Sequence, residues 1–101
     1  MKICNTFMPT FFTALGLRFF MVMYDIFHEP LHVHITDNNK KLCKFWIFED
    51  GKIELADNKG FSKVELQKIS TTIIENEFLI KEKYEHLCKE VNARANYKKK
   101  R

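Results

Sequence analysis

Between Leu31 and Thr36 the chain alternates without exception: Leu31, Val33 and Ile35 are apolar, while His32, His34 and Thr36 are polar. A period of two belongs to a strand with one buried face, because successive side chains leave a pleated backbone on opposite sides. This segment commits the chain to a sheet, and its surroundings say which kind. Asn38-Asn39 follows it, and Asp50-Gly51 separates Lys41–Glu49 from Lys52–Ala56. Both pairs tolerate the positive φ of tight hairpin turns. Upstream, the largely apolar run Leu17–Tyr24 reads as a buried strand, connected through Asp25–Pro30, where Pro30 holds Glu29 extended.

Two-residue loops would set the register. They place Ile35 opposite Leu42, His34 opposite Cys43 and His32 opposite Phe45, then Phe48 opposite Ile53 and Trp46 opposite Leu55. One face then carries Leu31, Val33, Ile35, Leu42, Trp46, Phe48, Ile53 and Leu55, with Lys44 as an awkward member. The other carries His32, His34, Thr36, Cys43, Phe45, Ile47 and Glu54. The expectation is that helices cover the Trp46 face and leave Cys43, Phe45 and Ile47 as a binding surface beside the histidines.

The second half reads as helical. Ser62 and Glu65 form a capping box, with Phe61 and Leu66 as its hydrophobic staple. Leu66, Ile69 and Ile73 mark one apolar stripe with Val64 and Ile74 beside it, and Ile80, Tyr84, Leu87, Cys88 and Val91 mark another, with Asn76 as the break. The expected architecture is α+β: a four-stranded antiparallel meander followed by two helices packed on one sheet face. It forms a single domain over residues 1–97, followed by a basic tail at 98–101.

The tail matters for charge. Lys98, Lys99, Lys100 and Arg101 match the whole formal charge of +4, so the rest of the chain is neutral. A tail of this kind is usually a solvated terminus, and it is also the place where nucleic acid would be held. The apolar stretch Ile3–Phe27 is interrupted by Asn5, Pro9, Thr10, Thr13, Arg18 and Asp25, so no run reaches the roughly 18 residues of a membrane span. Ala14-Leu15-Gly16 is a poor cleavage site and the apolar pattern runs through it, which argues against export. Cys4, Cys43 and Cys88 lie far apart and read as reduced thiols of a cytoplasmic protein. The chain has neither a glycine-rich phosphate loop nor a GxSxG elbow.

The chemically pointed feature is His28-x-Pro30-x-His32-x-His34. Imidazole serves as metal ligand, general base or proton donor near neutral pH. His32 and His34 share a strand face with α-carbons roughly 7 Å apart, close enough to share a divalent metal such as zinc. His28, Asp25, Glu29 or Cys43 are the candidates to complete the ligand set. The competing reading is three polar residues on a solvated sheet face, with one stacked on Phe45. His86, beside Glu85, reads as exposed.

Met8-Pro9-Thr10, Gly16-Leu17-Arg18, Tyr24-Asp25 and His28-Glu29-Pro30-Leu31-His32-Val33-His34 resemble the small bacterial proteins grouped as domain of unknown function 4160. That pattern opens on Met-Pro-Thr and reaches His-x-Pro-Pro-His-Phe-His. The helical end resembles it too, with Asn76, Leu79, Ile80 and Tyr84. Leu31 and Val33 depart from the motif, and residues 1–7 precede the usual start, which leaves Met1 or Met8 as the native one. The resemblance implies a component of a toxin–antitoxin-like two-gene module that binds a small cognate protein encoded nearby. It carries no catalytic role over, only the positions His28, Pro30, His32 and His34. The alternative is a metal- or histidine-dependent nuclease or phosphoesterase using His28, His32 and His34, with Arg18 or a lysine steadying phosphate.

Overall fold

A computed structural model of the chain describes residues 8–99. Cys4, Lys100 and Arg101, with the extension at 1–7, lie outside the described residues. The order of elements is β1 (Thr10–Ala14), β2 (Leu17–Phe20), a 3-10 helix (Met23–Phe27), β3 (His32–Thr36), β4 (Leu42–Ile47), β5 (Ile53–Lys59), α1 (Lys63–Glu75) and α2 (Glu77–Glu90). The strands form one antiparallel sheet in chain order. The α+β class and the pair of helices agree with the sequence, but the sheet has five strands instead of four.

The additional strand is β1. Leu15 and Gly16 both take positive φ, 58° and 71°, making the two-residue mirror-image turn that suits the strand twist. Leucine is a poor residue for that conformation, so the sequence hides the turn. The strand that begins at Leu17 also stops early, at Phe20. Asp25 N then donates to Val22 O, and His28 N and Glu29 N donate to Asp25 O, winding the chain into the 3-10 helix.

Both downstream hairpins have longer loops than their sequences suggest. Asp37 Oδ1 accepts from the amides of Asn39, Lys40 and Lys41, and Asn38 adopts φ 64°. The hydrogen-bonded carboxylate holds residues 37–41 as the loop, so the ladder closes at Thr36 opposite Leu42. In the next hairpin Phe48 N donates to Lys52 O and Gly51 N to Phe48 O, with Gly51 at φ 92°. That is a three-residue loop ending in a left-handed glycine.

Each hairpin therefore slips by one residue, and a slip of one exchanges the faces of a strand. His32 pairs with Trp46, Val33 with Phe45, His34 with Lys44 and Ile35 with Cys43, while Ile47 meets Ile53 and Phe45 meets Leu55. The expected partition is corrected on this point. Cys43, Phe45 and Ile47 are 1%, 3% and 0% exposed and belong to the core, whereas Trp46 and Lys44 stand on the histidine face. The slip also removes the awkwardness of Lys44, whose ammonium no longer falls on the buried side.

The core joins Phe19, Val33, Ile35, Cys43, Phe45 and Ile47 of the sheet to Ile69, Ile73, Ile80, Tyr84 and Cys88 of the helices. Fully burying each such aliphatic or aromatic side chain contributes about 1.5–3 kcal/mol. Ser62 caps α1 through the reciprocal bonds with Glu65, and Asn76 at φ −114° separates α1 from α2. Leu66 is half-buried, while Val64 and Ile74 are exposed.

Past α2 the chain returns to the sheet. The buried Tyr84 hydroxyl donates to Asn96 O and accepts from Asn96 N, and Asn96 O also receives Leu31 N. Lys98, the first residue of the expected basic tail, bridges to Phe48. Among the described residues no helix is long and apolar enough to cross a membrane.

Candidate metal centre on the histidine face

Two elements supply the site. β3 sends His32 and His34 to one side, and the 3-10 helix carries Asp25 back over them. His32 is fully buried, with Nδ1 2.8 Å from Pro30 O and Nε2 3.0 Å from Asp25 Oδ2. A carbonyl oxygen can only accept, so Nδ1 is the protonated nitrogen. The Nε2 lone pair of a neutral ring would then face an acceptor, and it needs a cation between: a proton or a metal.

His34 raises the same demand. Its Nε2 is buried and has no hydrogen-bond partner among the described residues, and the nearest carboxylate oxygen in an ion pair with it is again Asp25 Oδ2, at 3.6 Å. Burial, and next the adjacent His32, lowers the His34 pKa below its ordinary value, with Asp25 opposing. The charged form of the ring is thus disfavoured by its surroundings.

One proton on either ring satisfies a single nitrogen, whereas one metal ion satisfies both and the carboxylate together. Ligand atoms of Asp25, His32 and His34 all lie within 4.8 Å of one another. Atoms bound to one tetrahedral zinc are about 3.3 Å apart at ordinary bond lengths, and the distances of 3.0 and 3.6 Å bracket that value. The outer limit of 4.8 Å is wider, so binding would draw the ligands inward. The Nδ1–Pro30 bond is the outer-shell contact that fixes a ligating imidazole's tautomer and angle.

Aromatic rings hold the two imidazoles in place. Phe20 stacks on His34 at 5.3 Å, His32 meets His34 edge-on at 4.9 Å, and Trp46 meets His32 edge-on at 5.4 Å. Cations stand beside them. Lys44 Nζ is 2.7 Å from Glu29 Oε1 and 4.4 Å from the Trp46 ring, Lys98 Nζ is 5.0 Å from that ring, and the Arg18 guanidinium lies 4.6 Å over Phe20. Arg18 also donates to Thr10 Oγ1 at 2.7 Å and to Met8 O.

The remaining candidates are elsewhere. His28 is exposed and stacks on Tyr24 at 4.2 Å, so the structure does not bring it to the ligand group. Cys43 lies on the opposite face with its thiol pushed up to about 12 by burial and then by Asp57. Glu29 binds Lys44 and stays 3.8 Å from His32 Nδ1. His86 pairs with Glu90 at 3.2 Å on the surface of α2. The sequence pattern places Trp46 on the core face; the signal against it is Lys44 two residues away, since a lysine rarely shares a buried face.

A model of the family described as Domain of unknown function (DUF4160) matches residues 16–85, more than half of the chain. This chain belongs to that family. The match takes in Asp25, His32 and His34 of this DUF4160 domain, along with Trp46 and Lys44. It leaves out β1 and the returning segment that carries Asn96 and Lys98. No curated protein and no solved structure matches this DUF4160 member.

Proposed function

We propose that the domain binds a divalent metal ion through Asp25, His32 and His34 and uses it to hydrolyse phosphoesters. The observation that carries this reading is the pair of buried ring nitrogens turned toward one carboxylate oxygen, at 3.0 and 3.6 Å. Two histidines and a carboxylate form a facial ligand set that suits zinc and also iron or manganese. Held by Asp25, His32 and His34, such an ion would supply Lewis-acid chemistry: it would activate a water for attack on phosphorus and stabilise the leaving oxygen, so that a phosphodiester and water would give a phosphomonoester and an alcohol.

Titration calorimetry with Zn2+ and Mn2+ tests the metal, and bis(p-nitrophenyl) phosphate turnover tests the chemistry. One ion per chain is expected, with binding weakened at least tenfold and turnover lost in Asp25→Asn and His34→Ala. Folded wild-type protein that binds neither ion at one equivalent would sink the reading.

A second reading, a partner for a small cognate protein in a toxin–antitoxin-like pair, draws support from other residues than Cys43, Phe45 and Ile47. Ile74 and Phe78 flank the Asn76 break and are 57% and 78% exposed. Co-expression with the product of the adjacent gene tests it: a complex weakened by Phe78→Ser supports it, and a monodisperse monomer removes it.

A further inference from the structure

Trp46 stands beside the candidate metal ligands on the histidine face without being one of them. It stands opposite His32 in the ladder, ring to ring at 5.4 Å, and it remains half-buried instead of joining the core. Lys44 and Lys98 both lay their ammonium groups against its indole. Lys44 is neutralised by Glu29. Lys98 is held there by the backbone bridge from Phe48, which brings a residue of the C-terminal segment to the site. On the 3-10 helix, Tyr24 and Phe27 flank Asp25 in the chain and are 69% and 59% exposed. Trp46 is thus a large aromatic ring that the core does not use, in contact with a ligand residue.

Aromatic faces interleaved with lysines beside a metal are what unpaired bases joined by phosphates require. Bases stack on the rings, ammonium groups meet the phosphates, and the ion takes a phosphate oxygen. Broad electrostatics would not suffice. Glu54 stands opposite Trp46, so the face is not uniformly basic and offers little to a duplex, whose bases are already stacked. We infer that the Asp25–His32–His34 site takes a single-stranded polynucleotide, with a base on Trp46 and the adjoining phosphate between Lys98 and the metal. This inference rests on the metal reading above and names its substrate.

Trp46 is the single tryptophan of the chain, so its fluorescence reports the contact directly. Protein loaded with one equivalent of Zn2+ is titrated with short oligouridylate, oligothymidylate and an abasic phosphodiester of equal length, and read before turnover. Saturable quenching by one or both oligonucleotides is expected, the ratio between them separating RNA from DNA. The abasic chain should bind at least tenfold more weakly, without that quenching. By anisotropy of a labelled strand, Trp46→Ala should lose at least tenfold and Trp46→Phe most of neither fold nor affinity. Lys98→Ala, with a native circular dichroism spectrum, should lose severalfold at low salt and reduce the salt slope by about one. Zinc that fails to bind sinks the metal reading before any strand is added. Zinc-loaded protein that ignores both oligonucleotides, binds the abasic chain equally, or binds undiminished in both Trp46→Ala and Lys98→Ala overturns this inference alone.

Discussion

Asp25 Oδ2 reaches to 3.0 Å from His32 Nε2 across the gap between the 3-10 helix and β3. The same oxygen is 3.6 Å from His34 Nε2. One carboxylate thus faces two imidazoles that the strand alone would leave parallel and apart. The 3-10 helix, which occupies the stretch where the sequence reads as strand and connection, is what adds a carboxylate to the histidine pair.

Removing members of that group should separate its roles. Asp25→Asn and His34→Ala are expected to weaken zinc binding by at least tenfold, read by calorimetry, while His28→Ala and His86→Ala leave it unchanged. His32→Ala should also lower stability by about 1–3 kcal/mol in urea, because the Pro30 carbonyl and the Asp25 carboxylate lose their shared partner.

The Leu15 turn should accept improvement. Leu15 holds φ 58° and is 54% exposed. Asparagine reaches that conformation with less strain, and Leu15→Asn is expected to raise unfolding free energy by about 1 kcal/mol in urea titration. An unchanged midpoint would mean that the leucine side chain contributes packing there equal to the strain.

The β3–β4 loop should be acid-sensitive through Asp37. Three amide bonds hold its carboxyl below the usual value of 3.8, with the Lys41 amide the largest cause. A depressed folded pKa gives stability that is present above 3.8 and is lost as pH falls through the folded value. Asp37→Asn should therefore melt lower than the parent at pH 7, and the difference should shrink below pH 3.8.

Tyr84→Phe tests the C-terminal closure. Its hydroxyl makes two bonds to the Asn96 backbone, and their loss is expected to cost about 1–2 kcal/mol. The Asn96 amide should exchange with deuterium faster in the variant than in the parent, ahead of amides in β3.

What could be read in advance followed from local chemistry. Ser62 with Glu65, the break at Asn76 and the strand at His32–Thr36 all depend on neighbours in the chain, and each stands where its residues indicate. Register was not legible, since it turned on whether Asp37 would gather three amides and on where in its turn Asp50-Gly51 would sit. Each shifted the register by one residue; the first put Trp46 beside His32 and Phe45 beside Val33, and the second put Leu55 opposite Phe45. Leu15 concealed a hairpin because leucine does not advertise positive φ. Asp25 was visible as a candidate ligand, but its reach over β3 depended on a helix that the apolar run preceding it obscured.

The Leu31–Asn96 hydrogen bond has a bearing on how the molecule assembles. Every strand pairs with its neighbour in sequence, and contacts so close along the chain form early because little loop entropy opposes them. Asp25, His32 and His34 belong to that early, local part. Asn96 and Lys98 meet Leu31 and Phe48 across a far longer stretch of chain, so loop-closure entropy disfavours their early formation. On that expectation a nascent chain would bring Asp25, His32 and His34 together before Lys98 reached Trp46, so the two halves of this face would belong to different moments of folding.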